Sequence, residues 1–349
     1  MFAEPLYHTY RRLRTLQTHR ISALPIAILM PHSACNCRCV MCDIWKDNKN
    51  LKQLTETDIA SLLGSLNKLG TQMVLMSGGE ALLNPRFFEL CAMLKSRKIR
   101  ISLLSTGLTI SQHADNLLRW VDDIIVSLDG DEATHDKIRN IPGAFSKLKA
   151  GIDALKTRRQ GYPITARTVI HRLNFRKWPA IIETARSLGV DQISFLPADT
   201  TSTAFNRQQA WGAARQFEVL PSAEELPVLA EVTDHIISTY SEAFTNGFIA
   251  ESPEKIRGIL RHYEATHGLR SYPAKKCNAP WVSAVIEADG AVKPCFFHAA
   301  AGNIREQSLE TILNSGQALQ FRKELDMEKD ATCRRCVCCL HLSPTAKLS

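Results

Sequence analysis

The 349-residue sequence contains no apolar run approaching the ~18 residues that a membrane span needs. Its early apolar stretch, Ala23 to Met30, is short, follows a basic segment and lacks a small-residue cleavage site, which excludes a secretory signal. The expectation is a soluble, cytoplasmic protein. Low-complexity tracts and internal repeats are also missing. A hydrophobic share of 45% with 22% charged residues is ordinary globular usage and excludes a disordered chain. Finger spacings, zipper heptads and the aromatic-basic pattern of an RNA-binding sheet are absent. Lysine and arginine are scattered, apart from Arg11, Arg12, Arg14 and Arg20. The net charge of +8 therefore reads as a solvated surface suited to an anionic substrate or an acidic redox partner, not to nucleic acid.

Cysteine is scarce over most of the chain and concentrated at its two ends. Four of the 11 lie at Cys35, Cys37, Cys39 and Cys42, and six at Cys277, Cys295, Cys333, Cys336, Cys338 and Cys339; Cys91 alone falls between. Two tight clusters without a secretion signal exclude a disulfide framework and point to metal. Cys91 shares an apolar helical stripe with Phe88 and Leu94 and reads as packed core.

Between the clusters, short apolar runs alternate with helical patterns. Strands are expected at Pro25–Met30, Gln72–Met76, Ile101–Leu104, Asp123–Leu128, Ile164–Ile170 and Gln192–Leu196. Thr55 with Asp58 opens one helix as a capping box, Asn84-Pro85 opens another, and Trp178–Leu188 is a third. This alternation implies parallel βαβ units, compatible with either a doubly wound sheet or an incomplete barrel. Beyond Leu196 a polar loop carries Asp199, Asn206, Arg207 and Trp211. Helical stretches at Ala223–Thr245 and Glu254–His267 follow, and then a hairpin turning at Asp289-Gly290.

Function gathers at the carboxyl ends of strands in parallel α/β folds. After the first strand, Cys35, Cys39 and Cys42 follow a C-x3-C-x2-C spacing. Three thiolates on a four-iron cluster leave one iron open, whereas a zinc knot would recruit a fourth ligand such as Cys37. Later strand ends carry Ser77-Gly78-Gly79-Glu80, then Ser105-Thr106-Gly107, then Ser127-Leu128-Asp129-Gly130 with Arg139. The fifth and sixth end near His171-Arg172 and at Asp199. Two glycines allow close backbone approach to a ligand, and a carboxylate accepts from an ammonium group.

In combination these motifs resemble the radical S-adenosylmethionine (SAM) superfamily over about residues 24–200. The resemblance implies a partial (β/α)6 barrel of the TIM type and a [4Fe-4S] cluster on Cys35, Cys39 and Cys42 whose open iron is chelated by SAM. It implies that Ser77, Gly78, Gly79 and Glu80 meet the methionine amino group, that Arg139 pairs with the carboxylate, and that Ser127 and Asp129 lie near the ribose. Thr106 would line the same pocket. Met41 stands where many members have an aromatic residue, and Cys37 is read as a non-ligand.

Downstream, Cys277 and Cys295 flank the hairpin, and Cys333-Arg-Arg-Cys336 follows, a set able to hold zinc or a closed cluster. It is similar to the SPASM extension and more closely to its shorter, single-cluster twitch form, the cysteine run being too short for a full SPASM domain, which implies an auxiliary [4Fe-4S] cluster on Cys277, Cys295, Cys333 and Cys336. Cys338 or Cys339 could replace Cys336, donate a hydrogen atom, or be spare. The expected organisation is an N-terminal extension (1–23), the barrel (24–245), a helical linker (246–270) and a twitch/SPASM-like auxiliary-cluster domain (271–349).

The resemblance implies an enzyme that cleaves SAM reductively to a 5′-deoxyadenosyl radical and abstracts hydrogen from its substrate. The leading expectation is oxidation of a small polar molecule, sugar-, cyclitol- or nucleoside-like. The auxiliary cluster would accept the electron, and His171 or Asp199 the proton. The segment before the first strand is too short for an added leader-binding domain, which leaves a ribosomal-peptide maturase or epimerase as the alternative. A zinc-binding interaction protein is the alternative outside this class. An acidic flavodoxin or ferredoxin is the expected electron donor.

Overall fold

The computed structural model describes residues 3–204, 207 and 209–348; Asn206 lies outside them. Six parallel strands form the centre: β1 (Ile26–Leu29), β2 (Met73–Met76), β3 (Arg100–Ser105), β4 (Asp123–Ser127), β5 (Ile164–Ile170) and β6 (Gln192–Pro197). Each pairs in parallel with the next, and helices fill the connections, the arrangement expected of a partial (β/α)6 barrel. The strands fall within a residue or two of their expected bounds because each is a β-branched or leucine-rich run, covered by helices on at least one face.

The helix Glu56–Lys68 starts at the expected cap: Thr55 accepts from the Asp58 amide, and the Asp58 carboxylate accepts from the Thr55 amide. Its Ile59, Leu62 and Leu66 are fully buried with Val74 and Met76 in the main core. Burial of each such side chain contributes about 1.5–3 kcal/mol. Cys91 is fully buried in this core too. Gly64, in the middle of the same helix, faces open space.

The C-terminal hairpin extends the same sheet. β7 (Ser283–Ile286) pairs in parallel with β1, and β8 (Ala291–Lys293) and β9 (Gly302–Asn303) continue antiparallel, giving the order β6-β5-β4-β3-β2-β1-β7-β8-β9. The expected hairpin arm from Val282 starts one residue later, since Ala279–Val282 forms a helical turn.

A second apolar cluster lies on the other face of β1. There Ile26 and Ile28 pack with Trp281, Val285 and Leu342, and Leu340, Ala346 and Leu348 of the tail join them. The tail is also tied to the helix Ala3–Thr18, where Arg12 Nη1 donates to the Ala346 carbonyl at 2.6 Å. No helix among the described residues is long and apolar enough to cross a membrane.

Candidate active site and auxiliary metal centre

The cysteine loop after β1 is held by backbone bonds to the helix Glu132–Arg139: Arg38 N donates to Arg139 O and Val40 N to Ile138 O, both at 3.0 Å. Asn48 clamps Cys35 from both sides, accepting from its amide (3.0 Å) and donating to its carbonyl (2.9 Å). Trp45 donates its indole N–H to the Cys42 carbonyl at 2.9 Å. Cys35, Cys37, Cys39 and Cys42 are all free thiols packed with Leu108, Ile141 and Ala144. A hydrogen bond from Cys37 pulls the Cys39 thiol down to about 7, against burial and with the help of Arg139; burial pushes Cys42 up to about 12. Cys37 is fully buried and hydrogen-bonded to both Cys35 and Cys39.

The diglycine has a structural reason of its own. Gly78 adopts φ +111°, and a β-carbon on Gly79 would overlap the Ala34 carbonyl, so the β2 loop passes directly against the cysteine loop. Glu80 N then donates to that same Ala34 carbonyl at 2.9 Å. The Glu80 carboxylate is sealed from solvent and accepts from the Thr106 amide (2.7 Å), the Thr106 hydroxyl (2.7 Å), the Ser105 hydroxyl (3.0 Å) and the Leu82 amide (3.2 Å). Burial pushes this carboxyl up, and these donors oppose the rise. Glu80 therefore ties the loops of β2 and β3 together, and Thr106 Oγ1 also touches the cysteine loop, 2.9 Å from the Asn36 side-chain amide. Ser77 is buried, its amide bonded to Leu29 O.

At the end of β4, Arg139 Nε meets Asp129 Oδ2 at 2.5 Å, and Nη1 lies 3.5 Å from Cys39 Sγ. Burial works against the guanidinium charge, but Asp129 and the thiols outweigh it and hold it protonated. Asp129 Oδ1 has no hydrogen-bond partner, nor do Nε2 of His135 and of His171, although all three atoms are buried. Burial pushes both histidines down to about 4, so both are neutral near pH 7. Ser127 sits half-buried at the strand end.

Asp199 is engaged differently from the free base that its position suggests. It accepts from Arg207 Nη1 at 2.9 Å and from the amides of Thr201 and Ser202. Arg207 stacks over Trp211 at 4.0 Å, Trp211 donates to Asp43 Oδ2 at 2.6 Å, and Arg215 donates to the Val40 carbonyl. The loop after β6 is thus latched onto the cysteine loop, and Met41 packs between them with Trp211 and Val219.

The second thiol cluster is assembled by Asn278. Its amide donates to Leu340 O (2.8 Å), its side chain donates to Leu342 O and accepts from Leu342 N (both 2.9 Å), and so the tail lies beside Cys277. All six C-terminal cysteines line one cavity of about 80 Å³ with Phe296, His298 and Leu340 among its walls. Clustered soft donors behind an apolar wall suit an iron–sulfur cluster. The six thiols keep open which four are ligands. His298 Nε2 lies 3.4 Å from Cys333 Sγ, and its ring packs on Phe321. His298, Asn48 and His135 are absent from the sequence reading because no spacing marks them.

A family model described as "Radical SAM superfamily" matches residues 29–191, and one described as "Iron-sulfur cluster-binding domain" (SPASM) matches residues 277–337. An AdoMet-dependent heme synthase of Methanosarcina barkeri is 27% identical over 85% of this chain and 83% of its own length. A PqqA peptide cyclase of Granulibacter bethesdensis is 26% identical over 77% of this chain and 67% of its own length. Among solved structures, Streptococcus suis SuiB bound to its precursor peptide SuiA superposes with a TM-score of 0.65 at 12% identity. That match covers 92% of this chain and 71% of SuiB, a likeness of fold.

Proposed function

Because the chain belongs to the radical SAM superfamily and carries a SPASM iron–sulfur domain, we propose that it is a peptide-modifying radical SAM enzyme. Its [4Fe-4S] cluster would sit on Cys35, Cys39 and Cys42 and its auxiliary cluster on Cys277, Cys295, Cys333 and Cys336. The observation that carries this reading is the paired arrangement: one thiol cluster at the carboxyl ends of the parallel strands, and a second lining a cavity on the same sheet. When bound, the reduced cluster and SAM supply the one-electron cleavage that generates a hydrogen-abstracting radical.

The chain's own residues hold and shield that pair. Gly78 and Gly79 leave backbone facing the methionine amino group, and Glu80 keeps the loop in place. With Arg139 Nε and Nη1 engaged by Asp129 and Cys39, Nη2 is the atom left for the SAM carboxylate. Ser127 and Asp129 flank the ribose. His171, with its Nε2 unpartnered, is the more available of the two candidate proton acceptors, since Asp199 is already bonded to Arg207. An acidic flavodoxin or ferredoxin complements the +8 charge as donor.

The sugar- or cyclitol-like substrate gives way to the peptide alternative, since a relative matched over 67% of its own length is named as a peptide cyclase. A tetrapyrrole substrate is the second reading, favoured by the heme synthase, whose match spans more of both chains. Anaerobic incubation with SAM, reductant and either a panel of unmodified peptides or iron coproporphyrin separates them. Peptide-stimulated 5′-deoxyadenosine release with a mass change in the peptide supports the first reading. Stimulation by the porphyrin alone overturns it.

A further inference from the structure

Side chains alternate along β5. Ile164, Ala166 and Ile170 belong to the core between sheet and helices, with Trp178, Ile181 and Ile182. Arg167 points to the opposite face, into the barrel. Its register partners are Ser127 on β4 and Ser194 on β6, so the three form one row across the inner face. Ser127 is the residue assigned to the ribose end of SAM. The row therefore runs from the cofactor side toward the open edge of the sheet.

The Arg167 backbone carbonyl accepts from Leu128 N at 3.0 Å, but among the described residues its side chain makes no hydrogen bond or ion pair, and its Nε is buried without a partner. The charged group facing it is Glu251, whose segment runs beside β6 through the bond from Ala250 N to Ile193 O. Glu251 is turned to other partners: its carboxylate accepts from the Ser194 hydroxyl at 2.8 Å and the Phe195 amide at 3.0 Å. The Arg167 charge also reaches the thiol of Cys338, which lines the auxiliary cavity. A guanidinium keeps its charge, and a half-buried one with no hydrogen-bonded partner has donors left over for a ligand. No side-chain hydrogen bond of the fold uses this arginine, although it stands in the row with Ser127 and within electrostatic reach of Cys338.

We propose that Arg167 anchors a carboxylate group of the substrate inside the barrel. A single guanidinium matches the planar fork of one carboxylate. A dianionic phosphate would need more than one cation and would meet the nearby Glu251. Peptides and tetrapyrroles both carry such carboxylates. The inference rests on the enzymatic reading above only for what happens to the substrate afterwards, not for its binding.

The test is a calorimetric titration of the anaerobically reconstituted full-length protein with SAM and no reductant. The probes are N-acetylglutamic acid α-amide, its uncharged glutamine counterpart, propionate and inorganic phosphate. The carboxylate probe should bind about tenfold or more tightly than the glutamine probe. Arg167→Gln should abolish that preference, Arg167→Lys should keep part of it, and phosphate should not compete. Tighter binding of propionate than of the glutamyl probe would favour a porphyrin-type side chain, and the reverse order a peptide.

Because the half-buried Arg167 side chain makes no hydrogen bond or ion pair in the fold, Arg167→Gln should leave the melting temperature close to that of the parent. A clear fall would make Arg167 a structural residue and overturn the proposal. So would equal affinity for the charged and uncharged probes, a preference that survives Arg167→Gln, or no carboxylate binding at millimolar concentration. None of these readouts depends on SAM cleavage, so failure here and failure of the enzymatic reading are separable.

Discussion

Two glycines of this chain have opposite expected responses to the same added methyl group. On Gly79 it would overlap the Ala34 carbonyl and push the β2 loop off the cysteine loop; on Gly64, inside the helix Glu56–Lys68, it would meet nothing within 4 Å. Gly79→Ala should therefore cut iron uptake at the first site, and Gly64→Ala should stabilise the fold by up to about 1 kcal/mol through helix propensity. Iron content and urea unfolding read the two effects. His135 and His171 carry a pH dependence of known sign. Burial holds both at about 4 in the fold, against about 6.5 when unfolded. The unfolded chain binds more protons between those values, so their contribution is intact above pH ~6.5 and is lost as pH falls toward 4. Glu80 and Glu251, both pushed up by burial, act in the opposite direction over the acid range. Comparing His171→Gln with the parent cancels the glutamates. From pH 7 to about 4.5 the variant should lose about 2 kcal/mol less stability than the parent, measured by urea unfolding of the metal-free protein.

At the scale of elements, the loop after β6 is the piece that joins the strand ends to the cysteine loop. Asp199 holds Arg207, Arg207 stacks on Trp211, and Trp211 bonds to Asp43 next to Cys42. Trp211→Phe keeps most of the packing and removes the indole donor, so cluster reconstitution should slow and protease cleavage between residues 199 and 212 should rise. Unchanged kinetics and an unchanged digest would show that the latch has no bearing on the cysteine loop. These contacts also mark the limit of what the sequence discloses. The six central strands are legible because each is a local apolar run, and Thr55 and Asp58 announce their helix by a local cap. The helix Glu132–Arg139 is not legible: it is almost entirely polar, and its start rests on Asp131 accepting from Thr134 N. The pairing of Arg139 with Asp129 and the filling of Glu80 by Ser105 and Thr106 are long-range choices among several possible partners. Spacing identifies those residues as chemical but does not say that they bond to one another first.

For the whole molecule, the main result is one sheet carrying two thiol clusters. β7 lies beside β1, so the auxiliary cysteines are fixed to the strand that leads into the first cysteine loop. The clusters should then form independently, because their ligands come from separate segments and each is held by its own clamp, Asn48 for one and Asn278 for the other. The most direct measurement is the iron and 5′-deoxyadenosine content of anaerobically reconstituted, reduced protein in which Cys35, Cys39 and Cys42 are all changed to Ala. The account predicts about four irons fewer per chain, the auxiliary cluster retained, and no SAM cleavage. Cleavage at the parent's rate, or loss of all iron, would contradict it.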